Sequence, residues 1–322
     1  MEFVYFVILI VSALLGGQVA TKLGLSNVVG QLIAGILVGP ALLNFVPSLH
    51  SIHVVGEWGV LLLMLNAGLE TDVAELKHNM KAASYAAVLG VVFPLIAFPV
   101  MALLFGVKWD TAIFWGIVFA ATSVSITLAV LNEQGKLTST AGSVILGAAV
   151  LDDISALLLV AAYSVFLGGS GLGISSIMPL VAFGLGLLMR RWSKSDEFLD
   201  WSNKIGTWTL FPIFFGSIGL MISFDNFMKE AIFLVILTIL AVGTKYYGAG
   251  LGARMAGINA VDSRAVGAGM VSRGEMALVI VQIGLSAEII SHQEFSSFVI
   301  VVILSTIIAP IMLRPLLDKV TD

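Results

Sequence analysis

The sequence predicts an all-α polytopic membrane protein, with residues 1–322 forming a single transmembrane domain. Hydrophobic residues make up 59% of the chain and charged residues only 11%, whereas a soluble domain contains about 25% charged residues. The mean hydropathy is +1.06. So little charge cannot cover a water-facing surface, and the apolar stretches are long enough to cross a hydrocarbon layer of about 30 Å.

Eleven apolar segments are predicted to span the membrane. The longest, 140–168, has 29 residues and is expected to tilt. A polar stretch, residues 190–204, separates the first seven segments from the last four. In chain order the segments are 3–20, 27–45, 54–69, 82–106, 110–131, 140–168, 174–191, 206–223, 230–252, 265–287 and 295–317.

The distribution of basic residues predicts the orientation. If the N-terminus is external, twelve of these residues fall on one face and only two, Lys108 and Lys229, on the other. Lys and Arg concentrate in cytoplasmic loops, so we expect a multi-pass protein of the cell membrane with its C-terminus in the cytoplasm. The twelve are Lys22, Lys77, Lys81, Lys136, Arg190, Arg191, Lys194, Lys204, Arg254, Arg264, Arg314 and Lys319.

Composition also limits the class of function. The 16 basic and 20 acidic residues are scattered along the chain, so no nucleic-acid partner is expected. With no cysteine and only four histidines, thiolate metal sites and cysteine nucleophiles are excluded. We expect neither enzymatic activity nor a cofactor.

Away from the ends of the predicted spans, five charged side chains lie at membrane depth: Asp152, Asp153, Lys245, Arg273 and Glu275. Each costs about 2.5–3.5 kcal/mol on insertion scales, so each needs a partner or a function. Adjacent helix positions point about 100° apart. One aspartate is therefore expected to serve a cavity and the other a partner helix, unless both are neutralised by salt bridges for assembly alone.

Lys245 and the Arg273-Gly274-Glu275 tripeptide each allow two interpretations. Lys245 either extends its ammonium towards the interface or pairs with an aspartate. Arg273 and Glu275 either form an ion pair within one helix or balance the ends of interrupted helices. The hydroxyl-rich segment around Thr122 and Ser123 favours interruption, because freed carbonyls at membrane depth can ligate a cation.

In combination these residues resemble a known family. Ala121-Thr122-Ser123, Asp152-Asp153, Lys245 and Arg273-Gly274-Glu275 are similar to motifs of bacterial monovalent cation/proton antiporters of the second group, the NapA-like sodium/proton exchangers. The segments 30–40, 67–72 and 211–215 resemble that family as well.

The resemblance implies an inverted-repeat antiporter fold with two discontinuous helices that cross. It implies a panel or dimer layer at about 1–70 and 206–223, an ion-binding core at about 82–168 and 230–317, and a linker helix at 174–191. Because the family pattern places two more spans before the segment at 211–215, this chain is expected to lack two helices of that pattern. A homodimer in the lipid bilayer is the expected assembly.

The resemblance also assigns roles. Asp153 would be the main cation and proton site, and Asp152 would pair with Lys245 when no cation is bound. Thr122 would lie at the crossing, and Thr122 and Ser123 would bind the ion or proton together with the aspartates. Arg273 and Glu275 would support the second interrupted helix. Asp153 and Asp152 are thus the expected ligands of the transported metal ion.

These assignments predict secondary active antiport, in which cytoplasmic Na⁺ or Li⁺ is exchanged for external protons by alternating access, electrogenically, with a role in pH homeostasis. Potassium/proton efflux or a channel-like K⁺ leak is the alternative. A further alternative is a homologue that has lost transport activity. Adjacent aspartates on one helix argue against an intramembrane aspartyl protease.

Overall fold

The computed structural model describes residues 2–70, 79–166, 174–224 and 227–320, with the side chains of 124–125, 174–177 and 227–229 left aside. All regular secondary structure in these ranges is helical, which confirms the all-α prediction. Thr71, Asp72, Lys77 and the end of the span predicted at 140–168 lie outside the described residues, as does the side chain of Lys229.

The chain divides into two compact units that are each discontinuous in sequence. The first consists of Met1–Val73, Leu172–Asn226 and His292–Ser296, and the second of Ala74–Gly171, Phe227–Ser291 and Ser297–Asp322. The helix predicted as a linker, at 174–191, lies in the first unit, where it packs against the helix at 50–70. That the units act as panel and core remains a prediction.

In the part of the chain that the structure describes, the first unit contains six α-helices and a π-helical turn. They are α1 (Glu2–Lys22), α2 (Asn27–Val38), α3 (His50–Glu70), α8 (Ile174–Met189), α9 (Ser195–Ile205), the turn Gly206–Leu210 and α10 (Phe211–Leu220). The side chain of Ser26 caps α2 by accepting a hydrogen bond from the Val28 amide at 3.1 Å, which satisfies one of the free donors at a helix start.

Glycines hold the helices of the first unit close together. A methyl group added at Gly35 of α2 would collide with the carbonyl oxygen of Gly216 in α10, and one added at Gly68 of α3 would collide with the carbonyl of Phe183 in α8. Small residues allow such backbone contact between membrane helices, where dispersion and packing replace the hydrophobic effect as the driving force. The glycine-rich composition therefore has a direct packing role here.

Helix α9 occupies the stretch that the sequence analysis treated only as polar. Its side chains bind the end of α3: Asn66 Nδ2 donates to Asn203 Oδ1 at 2.7 Å, and Ser202 Oγ donates to Asn66 Oδ1 at 2.7 Å. Asn203 Nδ2 also donates to Glu70 Oε1 at 3.1 Å. Residues 195–220 thus form one helical segment with a π-turn in its middle.

Among its described residues, the second unit contains eight helices: α4 (Met80–Leu104), α5 (Trp109–Val118), α6 (Val124–Glu133), α7 (Thr140–Phe166), α11 (Phe227–Met255), α12 (Ala260–Gly269), α13 (Glu275–Ser286) and α14 (His292–Leu317), whose first turn belongs to the first unit. Helix α4 packs against α7 and α11. Alanines dominate this contact, with Ala86, Ala148 and Ala249 fully buried.

Six helices of the described residues are long and apolar enough to cross a membrane, namely α1, α3, α4, α7, α11 and α14. Shorter apolar helices occur at Asn27–Val38, Met178–Met189 and Glu275–Ser286. Each predicted span coincides with one helix or with an interrupted pair. The count of eleven spans and the inverted repeat remain predictions.

Candidate ion-binding site

Two interrupted helices cross in the second unit. Helix α5 ends at Val118 and α6 begins at Val124, while α12 ends at Gly269 and α13 begins at Glu275. The breaks bind each other: the Ser123 amide donates to the Ser272 carbonyl at 2.9 Å, and Ser272 Oγ donates to the Ser123 carbonyl at 2.6 Å. The predicted pair of discontinuous helices is therefore present.

A threonine hydroxyl of α6 also binds the second break. Thr127 Oγ1 donates to the carbonyl oxygen of Gly269, the last residue of α12, at 2.7 Å, and it lies 3.0 Å from Ser272 Oγ. Unpaired backbone groups are costly at membrane depth. The hydroxyls that the sequence analysis noted in both segments are thus used to satisfy backbone exposed by the breaks.

Arg273 neutralises the carbonyl end of the first half-helix. It is fully buried, and its guanidinium donates to the carbonyls of Phe119, Ala121 (3.1 Å) and Ala241 (2.8 Å). The same guanidinium lies 5.4 Å from the centre of the Phe119 ring. A cation beside free carbonyls at a helix C-terminus is favourable. The alternative of an ion pair between Arg273 and Glu275 is wrong, because Arg273 directs its donors at the backbone.

Glu275 is the first residue of α13. A carboxylate in the first turn is stabilised by the positive end of the helix. Its Oε2 atom accepts a hydrogen bond from Ser123 Oγ at 3.3 Å, so Glu275 and Ser123 tie the two breaks together. Both residues lie at the paired breaks, and their roles in ion binding and helix support remain predictions.

Asp152 and Lys245 form an ion pair with Nζ–Oδ1 distance of 2.6 Å, and both side chains are 0% exposed. The pair joins α7 to α11. Gly90 of α4 leaves room beside it, since a methyl group there would lie 3.9 Å from Lys245 Nζ. The interpretation that Lys245 reaches the interface is therefore wrong, and the pairing implied by the family resemblance is observed.

Asp153 follows Asp152 in α7, and one of its carboxylate oxygens makes no hydrogen bond. Its Oδ1 atom is buried without a hydrogen-bond partner among the described residues, and so are Asp152 Oδ2 and Thr122 Oγ1. Asp153 interacts electrostatically with Asp152, Lys245 and Glu275. Buried polar atoms normally find a partner, and oxygen is the ligand that hard cations prefer. These three oxygens are therefore the best candidates for holding a proton or a cation.

The ionisable groups of the site form one charged cluster. Lys245 interacts with Arg273 as well as with both aspartates, and Arg273 interacts with Asp152. With every group ionised, three carboxylates, those of Asp152, Asp153 and Glu275, face two bases. The resulting excess of one negative charge can be neutralised by a single proton or a single monovalent cation.

Within the ranges that the structure describes, no group of three or more His, Asp or Glu side chains is arranged to hold a metal ion.

One supporting residue was missed by sequence reasoning. Thr306 of α14 donates its hydroxyl to the carbonyl of Arg273, which fixes the backbone of the second break. The signal was the polar pair Ser305-Thr306 in an otherwise apolar helix, and both side chains are buried. Hydroxyls are common in membrane helices, where many bond to their own backbone, so this signal was weak.

Known proteins resemble this chain along its length. The family model described as "Sodium/hydrogen exchanger, transmembrane" matches residues 9–194 and 156–319. GerT of Bacillus cereus, a probable Na⁺/H⁺ antiporter, is 35% identical over 350 residues, covering 91% of this chain and 93% of GerT. GerN of Bacillus cereus, a Na⁺/H⁺-K⁺ antiporter, is 33% identical over 373 residues, covering 98% and 96%.

A solved structure has the same fold. The sodium proton antiporter MjNhaP1 from Methanocaldococcus jannaschii, determined at pH 8, superposes with a TM-score of 0.71 and covers 99% of this chain and 98% of its own, at 12% identity. The alignment to GerN is longer than the 322 residues of this chain, so GerN has residues without a counterpart here. Neither match shows where in the chain two helices of the family pattern would be missing. The absence of these two helices therefore remains a prediction.

Proposed function

Because the chain belongs to the sodium/hydrogen exchanger family, a family of multi-pass membrane transporters, we propose that it exchanges cytoplasmic Na⁺ or Li⁺ for external protons by alternating access. The observation that carries this proposal is the fully buried Asp152–Lys245 pair, beside which Asp153 has a buried carboxylate oxygen with no partner. The cell membrane is the proposed location.

In this proposal Asp153 is the exchange site. A proton or a dehydrated Na⁺ binds the same carboxylate, so each excludes the other. The Thr122 hydroxyl and the second oxygen of Asp152 supply further hard ligands for the cation. Protonation of Asp153 removes the excess negative charge of the cluster, and a neutral site crosses an apolar barrier far more easily than a charged one.

The Asp152–Lys245 pair makes the exchange electrogenic. When Asp152 contributes an oxygen to the cation, Lys245 loses its counter-charge and releases a proton, while Asp153 releases the other. Two protons are then exchanged for one Na⁺, and one net charge moves per cycle. Since one charge is worth about 2.3 kcal/mol per 100 mV, the membrane potential can drive Na⁺ out of the cell.

The interrupted helices support alternating access. Their breaks place backbone carbonyls and half-helix ends at the site without exposing them to lipid, as in other transporters with broken helices. Arg273 and Glu275 keep the two half-helix ends neutral while the ion changes. A homodimer, with the N-terminus outside and the C-terminus in the cytoplasm, is the proposed assembly.

The alternative, K⁺ efflux or a K⁺ leak, receives less support. GerT, whose name gives sodium and protons, aligns over 91% of this chain. The name of GerN includes potassium as well, so K⁺ belongs in the test. A leak needs no exchange with protons, and this difference separates the two functions.

The test is dissipation of a pH gradient in proteoliposomes after addition of Na⁺, Li⁺ or K⁺. We expect Na⁺ and Li⁺ to dissipate the gradient, Asp153→Asn to abolish the response, and Asp318→Asn, the same change at an exposed position, to leave it intact. A full response in Asp153→Asn, or K⁺ current without proton movement, would contradict the proposal.

A further inference from the structure

A cavity of about 320 Å³ lies in the second unit, away from the charged cluster, between the end of α11 and the beginning of α12. Gly257, with φ of +101°, turns the chain between these helices, and Asn259 caps α12 by accepting hydrogen bonds from the amides of Val261 and Asp262 at 2.9 Å. The lining residues are Tyr246, Tyr247, Gly250, Leu251, Arg254, Ala260, Ser263 and Arg264.

The charged side chains of this cavity are both arginines. Arg254 uses one guanidinium nitrogen to donate to the Ile258 carbonyl at 3.0 Å, which holds the side chain at the cavity wall. Arg264 is exposed and has no hydrogen bond or ion pair with another described residue. The nearest acid in sequence, Asp262, is buried, accepts a hydrogen bond from Asn259, and does not line the cavity. The cavity is therefore complementary to an anion.

The remaining lining favours an amphiphile over a small soluble anion. Leu251 is 46% exposed and Tyr247 67% exposed, so an apolar surface borders the two arginines. Tyr246 and Tyr247 pack edge to face with ring centres 5.1 Å apart. Tyrosines with an apolar ring and a polar hydroxyl are typical of the level of lipid headgroups.

We propose that this cavity binds the phosphorylated headgroup of an anionic phospholipid of the leaflet at the end of α11. Arginine pairs with phosphate through several hydrogen bonds at once, and basic pockets between membrane helices are suited to anionic headgroups. The acyl chains would lie along Leu251 and Tyr247. This site is independent of ion exchange, because none of its lining residues belongs to the charged cluster.

The experiment is native mass spectrometry of delipidated, purified protein with equal amounts of phosphatidylglycerol and phosphatidylcholine. We expect the wild type to retain phosphatidylglycerol preferentially and Arg264→Gln to lower that preference about fivefold, as expected for one interfacial charge. Arg264→Lys, which keeps the charge, retains most of the preference. Arg191→Gln, which removes an exposed arginine of the first unit, leaves it unchanged.

Two outcomes would overturn the proposal. Equal retention of the two lipids by the wild type, or the same preference in Arg264→Gln as in Arg191→Gln, would show that the cavity does not select an anionic headgroup. Displacement of phosphatidylglycerol by millimolar glycerol phosphate would show that the cavity takes a soluble phosphate instead of a lipid.

Discussion

At the scale of single residues, the Asp152–Lys245 pair is costly to bury. Both charges are fully buried, with 2.6 Å between Nζ and Oδ1. Their mutual attraction offsets the loss of hydration only while both are present. The stability of the second unit and the chemistry of the site therefore depend on the same two side chains.

Removing one partner should cost more than removing both. Lys245→Met leaves the Asp152 carboxylate without its counter-charge, and we expect a loss of about 3–5 kcal/mol in the free energy of unfolding. The double variant Asp152→Asn/Lys245→Met removes both charges and should be closer to the wild type than Lys245→Met is. Thermal unfolding of the purified variants measures the coupling in a double-mutant cycle. Strictly additive effects would show that the two charges are not coupled.

At this scale the sequence singled out the charged residues of the cluster, but not all of their contacts. Charges at membrane depth are conspicuous in any apolar segment, so Asp152, Asp153, Lys245, Arg273 and Glu275 were identified from the sequence alone. Contacts between distant segments carry no such signal. Two of the three carbonyls that bind Arg273 belong to the break after α5, and the third belongs to α11.

At the scale of elements, α9 shows how a polar segment can be structural. Its sequence from Ser195 to Ile205 lacks the apolar length of a span, so a search for spans leaves it unassigned. The helix forms because residues on one of its faces bind Asn66 and Glu70 at the end of α3. Its other face is exposed, including Trp201, which is 59% exposed.

Asn66 should control the attachment of α9. Asn66→Ala removes two side-chain hydrogen bonds, those with Ser202 and Asn203, and a loss of about 1–3 kcal/mol is expected. Hydrogen–deuterium exchange should become faster in α9 while exchange in the second unit stays unchanged. Asn132→Ala, at an exposed position of α6, is the matched control. Equal protection of α9 in both variants would mean that the hydrogen bonds of Asn66 do not hold this helix.

Close contact between α2 and α10 depends on Gly35, which has no side chain. In Gly35→Ala the new methyl group would meet the Gly216 carbonyl, so the helices must separate and a lower melting temperature is expected. In Gly184→Ala nothing lies within 4 Å of the new methyl group, and alanine favours helix over glycine by up to about 1 kcal/mol. Opposite shifts in melting temperature test this packing, and equal shifts would contradict it.

At the scale of the whole molecule, composition and the length of the apolar segments predicted the helical class and the position of nearly every helix. They did not predict which helices pack together. Each unit collects segments from distant parts of the sequence, and one apolar helix surface resembles another when read as a sequence. The packing of α8 against α3 through Gly68 and Gly186 is one such contact.

The predicted orientation can be tested directly because the chain has no cysteine. A cysteine in place of Lys108 should react with a membrane-impermeant thiol reagent in intact cells. A cysteine in place of Asp318 should react only after the cells are permeabilised, since the C-terminus is expected in the cytoplasm. The reverse labelling pattern would show that the topology is inverted. Labelling of both cysteines in intact cells would show that an even number of spans lies between the two positions.

Competition between a proton and Na⁺ at Asp153 is the central claim, and Na⁺ affinity measured against pH tests it most directly. We expect isothermal titration calorimetry of the purified protein to show a Na⁺ dissociation constant that rises as the pH falls. If one proton is displaced, the constant rises about tenfold per pH unit, and each further proton displaced adds another factor of about ten, as linkage requires. Asp153→Asn should abolish the binding. Na⁺ affinity that is independent of pH, or that is the same in Asp153→Asn and wild type, would contradict the claim.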